Sequence, residues 1–141
     1  MKYKRFEELP CWKAARELCE IIFDLLNQER FRKDYSLRDQ IWRAAGSVMD
    51  NIAEGFDDGS AREFIRFLGY AQRSCGEVQS QLYRARDCGY IDGIMFDKGY
   101  EFAGQCGRQI KGLRKYLRKY EKGELQFLNS SIPKSLNSSI P

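Results

Sequence analysis

The chain has 141 residues, of which 43% are hydrophobic and 31% are charged, and its formal net charge is +4. These values fit one soluble globular domain, which at this length buries enough surface to fold without a metal or a disulfide. Histidine is absent. Its absence removes the usual base of serine and cysteine hydrolases and the histidine ligands of the di-iron site in ferritin-like bundles.

Composition also argues against cofactors and membranes. The five cysteines are odd in number and include no C-x-x-C spacing, so we interpret them as reduced core residues and predict no metal site and no cofactor. The basic start Met1–Arg5 is followed by Glu7, Glu8 and Pro10 instead of an apolar run. We therefore expect no secretory signal, no membrane span and a cytoplasmic protein.

The first predicted helix runs from about Pro10 to Gln28. Proline suits the first helical position, and apolar residues recur in steps of three and four. This apolar stripe consists of Trp12, Ala15, Cys19, Ile22 and Leu26. Residues 29–35 are mostly charged and are predicted to form a loop.

The second predicted helix begins near Ser36, because Ser36 and Asp39 have the spacing of a capping box. We expect it to end at Gly55, whose position fits a left-handed C-cap. The same alternation gives an apolar stripe of Leu37, Ile41, Ala44, Val48 and Ile52. Residues 56–59 would then form the next loop.

The third and fourth predicted helices are longer. A capping box that starts at Ser60 opens the third helix, which ends near Cys88. The fourth runs from about Asp92 to Tyr120. It carries five glycines, each costing about 1 kcal/mol against alanine, so it should depend on packing for stability. Two explanations of these glycines are open. They could allow close approach by a neighbouring helix or subunit, or the helix could simply tolerate them.

The architecture follows from these helices. Short connections between long amphipathic helices favour antiparallel neighbours, so we predict an all-α, up-down-up-down four-helix bundle over residues 1–122. The longer second helix pair would expose apolar groups such as Leu82, Tyr83, Ile94 and Phe96 unless loop 29–35 or another subunit covers them. Residues 123–141 form a low-complexity tail with a tandem Leu-Asn-Ser-Ser-Ile-Pro repeat, a composition typical of disorder or weak docking.

Positive charge is concentrated in the fourth predicted helix. Residues 102–120 include no acidic residue. They contain six cations, which we call the basic stripe: Arg108, Lys111, Arg114, Lys115, Arg118 and Lys119. Most of these positions share one helical face with Lys122, beside the apolar stripe, and Tyr116 and Tyr120 lie between them. Such cations can neutralise nucleic-acid phosphates while tyrosines stack on unpaired bases.

The basic stripe also fits two purely structural roles. Cations near a helix C-terminus complement the helix dipole. The stripe could also neutralise Glu7, Glu8, Asp57 and Asp58, which we expect at the same end of the bundle. A nucleic-acid interface is therefore one hypothesis among three at this level.

Six segments and Ser47, distributed over about residues 6–120, carry a resemblance to a known family. The segments are Leu9–Ala14, Tyr35–Leu37, Gln40–Ala45, Asn51–Gly55, Glu63–Leu68 and Ala71–Glu77. They resemble the bacterial intervening-sequence proteins, a four-helix-bundle family encoded within large-subunit ribosomal RNA genes. The run Asn-Ile-Ala-Glu-Gly is the most specific of these segments. Arg32 and Asp34 depart from the family pattern, which usually has proline and glutamate there.

The resemblance implies several properties beyond the bundle fold. It implies a ring-like homopentamer in many members. It also implies kinship to the accessory protein of diversity-generating retroelements, which resembles a basic pentamer that binds nucleic acid and a reverse transcriptase. Asn51, Glu54 and Gly55 match the family signature. We interpret Asn51 and Glu54 as a polar layer or a cap of the second helix, with a ligand role as the alternative.

These observations predict a non-enzymatic, self-associating helical bundle. Its partners would be RNA or DNA bound through the basic stripe, and no catalytic residue is assigned. The alternative is a protein–protein scaffold or structural oligomer with no nucleic-acid role. An enzyme built on carboxylates such as Asp50 and Glu54 is the remaining possibility.

Overall fold

The structure, a computed structural model, describes residues 3–121, and the predicted tail at 123–141 lies outside them. Four α-helices make up most of the described part, and no strand occurs within it. In chain order they are α1 (Pro10–Leu26), α2 (Tyr35–Asp58), α3 (Ala61–Asp87) and α4 (Gly93–Glu121). Two short 3-10 segments, Phe6–Glu8 and Phe31–Lys33, precede α1 and α2.

The helices form the predicted antiparallel four-helix bundle. Each helix contacts the next one in the chain, and α1 closes the ring by contacting α4. The register between α2 and α3 runs antiparallel, because Arg84 Nη1 donates to Gln40 Oε1 near one end and Ser74 Oγ donates to Ser47 Oγ nearer the other. All five apolar residues predicted for the second helix are buried, which confirms the three-four periodicity as a core signal.

The boundaries of α2 differ from the prediction at both ends. Asp34, not Ser36, caps its start, because the Asp34 carboxylate accepts a hydrogen bond of 3.0 Å from the Leu37 backbone N–H. The prediction that Gly55 ends this helix is wrong. The helix continues to Asp58, and Gly59 adopts the left-handed conformation, with φ of 89°, that ends it. The prediction that Ser60 caps α3 is confirmed.

Gly55 instead marks the closest approach of α2 to α3. It is buried, and a methyl carbon added there would lie 2.7 Å from Phe67 Cβ and 3.0 Å from Phe64 Cδ1. Both distances are shorter than side-chain carbons tolerate without movement. The family-signature glycine therefore permits helix packing and does not supply a turn.

The loop between α1 and α2 covers the end of the bundle that we expected to be exposed. Phe31 is fully buried and stacks on Tyr90, with 5.3 Å between ring centroids. The Tyr90 hydroxyl donates a 2.9 Å hydrogen bond to Asp34. Leu82 and Phe96 are buried, and Phe96 packs against Tyr83 and Tyr100, whereas Tyr83 and Ile94 stay 43% and 83% exposed. No additional subunit is needed to cover Leu82 or Phe96.

A pair of alanine substitutions in α2 tests the role of Gly55. Gly55→Ala should lower the free energy of unfolding by about 1–3 kcal/mol, because the new methyl group must displace Phe67 or the α3 backbone. Gly46→Ala should instead raise it by up to about 1 kcal/mol, since nothing lies within 4 Å of the added carbon and alanine favours the helix. Urea denaturation measures both. Equal effects of the two substitutions would contradict the close approach.

Candidate nucleic-acid interface

Five of the six basic-stripe residues face solvent along α4. The exposed members are Arg108, Lys111, Lys115, Arg118 and Lys119. They lie opposite the face that buries Ile110, Leu113 and Leu117 in the bundle core. Burial of that apolar face fixes the rotation of α4, so the cations point outward. Lys122 lies outside the described residues.

Of the four carboxylates that we considered as partners of the basic stripe, Glu7, Glu8 and Asp58 interact elsewhere. The four salt bridges among residues 3–121 involve none of the six stripe cations. Glu7 pairs with Arg5, and Glu8 accepts hydrogen bonds from the backbone N–H groups of Lys4 and Arg5. The Asp58 carboxylate accepts a hydrogen bond from Ser60. In the described part of the chain, the exposed stripe cations are therefore not neutralised by contact with acids.

Arg114 differs from the rest of the basic stripe because α3 holds it. Its Nε donates to the Ile65 carbonyl at 3.3 Å, and its Nη1 donates to Gln72 Oε1 at 2.9 Å. The guanidinium lies over Gly69, where an added carbon would come within 3.0 Å of Nη2. Partial burial, together with the positive charges of Arg118 and Arg73, lowers the pKa of Arg114. Arg114 thus joins two helices as well as contributing charge.

The α3–α4 seam brings in two arginines that the sequence pattern did not assign to the interface. Arg66 and Arg73 line the same open pocket as Arg114, together with Tyr70. We call Arg66, Arg73 and Arg114 the arginine cluster. The spacing of Arg66, Tyr70 and Arg73 places them on one side of a helix, a signal available in the sequence, but their proximity to Arg114 depends on the register of α3 against α4.

The signature residues Asn51 and Glu54 have different surroundings in α2. Asn51 Nδ2 donates to the Ser47 carbonyl at 2.8 Å and to Ser47 Oγ at 2.9 Å. Ser47 Oγ also accepts from the buried Ser74, so the three side chains form a polar layer between α2 and α3. Glu54 is exposed in the last turns of α2. This arrangement matches the polar layer that we expected for Asn51, whereas Glu54 lies outside it.

The buried cysteines and the carboxylates of the described residues form no metal site. Burial raises the pKa of Cys11 and of Cys75 to about 12, and the pKa of Cys106 also rises, so these thiols stay protonated and unreactive. No helix in the described part of the chain is long and apolar enough to cross a membrane.

A second surface feature lies on the opposite side of the ring, between α1 and α2. Phe23, Tyr35 and Trp42 are exposed by 54%, 77% and 44%, and we call them the aromatic patch. The rings of Phe23 and Trp42 are 6.0 Å apart, and all three residues line one shallow groove. Clustered aromatic exposure of this kind is typical of a protein contact surface.

Together these features define an all-α helical-bundle protein with an exposed cationic face. The sequence model of the family described as 23S rRNA-intervening sequence protein matches residues 7–112, and the chain belongs to that family. The resemblance identified from the sequence segments is thereby confirmed.

A solved structure supports the fold. The crystal structure of a protein with unknown function, from the S23 ribosomal protein family of Bacteroides thetaiotaomicron, is similar to this chain with a TM-score of 0.69 and 20% sequence identity. The match covers 74% of this chain and 98% of that chain. At this identity the likeness shows the fold alone. Comparison with curated proteins gives no significant match.

Alanine substitutions of two adjacent cations test the different placement of Arg114. Arg114→Ala should lower the free energy of unfolding by about 1 kcal/mol, because it removes two hydrogen bonds to α3. Lys115→Ala should change it by less than about 0.5 kcal/mol, as expected for an exposed residue. Urea denaturation compares them. Equal stability of the two variants would show that Arg114 is as free as its neighbour.

Proposed function

We propose that this chain is a non-enzymatic helical bundle that binds RNA or DNA through the exposed cations of the basic stripe. The observation that carries the proposal is that five cations lie together on the solvent face of α4 without a carboxylate partner among the described residues. Cations without an acidic partner contribute most to the free energy of binding a polyanion, because each phosphate contact releases a counterion from the nucleic acid.

The proposed mechanism is electrostatic and independent of base sequence. The cations lie along one helix, α4, that is packed against the bundle. They can therefore contact a phosphate backbone without a large ordering cost. Lysines dominate the exposed part of the basic stripe, and lysine contacts phosphate as a point charge without the planar geometry that arginine imposes. The family description, 23S rRNA-intervening sequence protein, is compatible with RNA as the polyanion.

Charge reversal on α4 tests the proposal. Lys115→Glu combined with Arg118→Glu should weaken binding of RNA and DNA oligonucleotides at least tenfold at about 100 mM salt, regardless of base sequence, because two phosphate contacts become repulsions. For the unmodified chain, the logarithm of affinity should fall with the logarithm of salt concentration with a slope of roughly −3 to −5. Fluorescence anisotropy measures both quantities.

The matched control places the same charge change at the far end of the bundle. Arg32→Glu combined with Lys33→Glu alters two exposed cations in the 3-10 segment before α2. This variant has the same net charge as the α4 variant but should retain most of the affinity. Equal losses in both variants would mean that net charge alone drives binding. An affinity that does not change with salt concentration, and that is the same in both variants as in the unmodified chain, would contradict the proposal.

The second candidate function is self-association, as a structural oligomer or protein scaffold. The exposed rings of the aromatic patch favour it, because an isolated bundle leaves this apolar surface in water. We propose that a second copy of this chain covers the patch, within the ring-like pentamer that the family resemblance implies. In a ring of five, the patch of one copy would contact a different surface of the next copy, so nucleic-acid binding is compatible with assembly where that second surface excludes the α4 cations.

Light scattering tests self-association directly. The purified chain should give a mass near five times 16.5 kDa in the absence of nucleic acid. Phe23→Lys combined with Trp42→Lys should shift the mass toward that of one chain, because two charges would have to be buried in the contact. Ile94→Lys, which alters an exposed residue outside the patch, should leave the mass unchanged. A monomeric unmodified chain would end the proposal.

A further inference from the structure

The arginine cluster has a geometry that the general charge of α4 does not explain. Tyr70 lies at its centre, with the Arg73 guanidinium 5.0 Å and the Arg66 guanidinium 5.5 Å from its ring centroid. Arg66 Nη1 also donates a 2.8 Å hydrogen bond to the Tyr70 hydroxyl. Arg114 reaches over Gly69 from α4 into the same pocket. Three arginines from two helices therefore line one pocket, and two of them lie over the Tyr70 ring.

Existing contacts hold these guanidinium groups in place without exhausting their donors. Arg114 uses two of its five N–H donors, on Ile65 and Gln72. Arg66 uses three, on Glu63 and Tyr70. Arg73 donates no hydrogen bond to any residue of the range 3–121, and its position is set by Tyr70. The pocket thus offers two hydrogen-bonded guanidinium groups and a third, Arg73, over the Tyr70 ring, all with unused donors, and the hydrogen bonds already made by Arg66 and Arg114 reduce the ordering cost of binding.

The pocket has more positive than negative charge, which favours binding of an anion. Glu63 is paired with Arg66 and is the one carboxylate that contacts the cluster among the described residues. Glu77, four residues beyond Arg73, forms no salt bridge with it. The pKa of Arg114 is lowered by burial and by two like charges, and no acid offsets them. An arriving anion would relieve this repulsion.

We propose that the arginine cluster is a preformed binding site for one phosphate group, held by Arg73 and Arg114 and supported by Arg66. Guanidinium groups match the tetrahedral oxygens of phosphate in bidentate geometry, which is why arginine is favoured at phosphate sites. The pocket, of about 600 Å³, has room for the sugar or base that follows the phosphate. The phosphate site itself does not depend on the proposed function. Only the identification of a nucleic acid as the molecule that carries the phosphate rests on it.

Gly69 provides a substitution that separates binding from folding. A methyl group there would come within 3.2 Å of Arg114 Cζ and so would push the guanidinium out of the pocket. Alanine also favours a helix interior over glycine. Gly69→Ala should therefore weaken phosphate binding while leaving the melting temperature about unchanged, because the helix gain from alanine offsets the loss of the Arg114 hydrogen bonds to α3. Arg73→Gln removes the guanidinium with the free donors, and Arg62→Gln removes one exposed charge elsewhere on α3 as the matched control.

The first experiment titrates the full chain with inorganic phosphate at constant ionic strength, following the arginine Nε–H signals by NMR. The signals of Arg73 and Arg114 should shift and saturate. Arg73→Gln and Gly69→Ala should each weaken phosphate binding roughly tenfold, as expected for the loss of a charged hydrogen-bond donor, and Arg62→Gln should weaken it less than about twofold. Absence of saturation, or equal losses in Arg62→Gln and Arg73→Gln, would overturn the site.

The second experiment identifies the carrier by comparing RNA oligonucleotides with a 5′-phosphate and a 5′-hydroxyl group. A terminal phosphate as carrier predicts tighter binding of the 5′-phosphorylated RNA, a difference that Arg73→Gln removes. A backbone phosphate predicts equal affinities, both weakened by Arg73→Gln. Saturable phosphate binding without any RNA binding would contradict the proposed function and would leave the phosphate site supported. RNA binding that depends on Lys115 and Arg118 but ignores Arg73→Gln and Gly69→Ala would overturn the site alone.

Discussion

The packing of α4 against α3 is the constraint on which the rest of the molecule depends. Ile110, Leu113 and Leu117 must be buried, and this requirement fixes the rotation of α4 about its axis. That rotation points Arg108, Lys111, Lys115, Arg118 and Lys119 into water and places Arg114 at the edge of the seam. The cationic face is thus a direct consequence of core burial. A rotation of α4 that buried these cations would leave unpaired charges inside the bundle, at a cost that the fold could not support.

Periodicity predicted much of this architecture from the sequence, because burial of one helical face is a local property. The apolar stripes located all four helices, and Ser60 located the start of α3. Gly55 was misassigned because a glycine after a helical run fits two roles, a left-handed cap and a close contact between helices. Only the position of Phe64 and Phe67 against α2 distinguishes these roles, and that position depends on two helices at once. Asp34 was missed as a cap because the charged loop before it gave no periodic signal.

In the candidate interface too, features within one helix could be predicted from the sequence, whereas features that depend on two helices could not. The acid-free run of α4 is visible in the sequence, since it lies within one helix. Arg66 and Arg73 precede Arg114 by 48 and 41 residues in the chain, and the antiparallel register brings the three to one pocket. Arg114 itself was grouped with its neighbours because its contacts with Ile65 and Gln72 are equally non-local. The ring of helices then places the aromatic patch, which lies between α1 and α2, on the side opposite this pocket.

The most direct test of the central claim is lysine acetylation footprinting of the full chain, read by mass spectrometry with and without RNA. The account predicts rapid modification of Lys111, Lys115 and Lys119 in the free protein, because these side chains face water without an acidic partner in the described structure. RNA should slow modification at these three positions and leave Lys33 and Lys98, which are also exposed but distant from the basic stripe, at their free rates. Uniform rates at all five lysines with RNA present, or slow modification of the α4 lysines in its absence, would contradict the account.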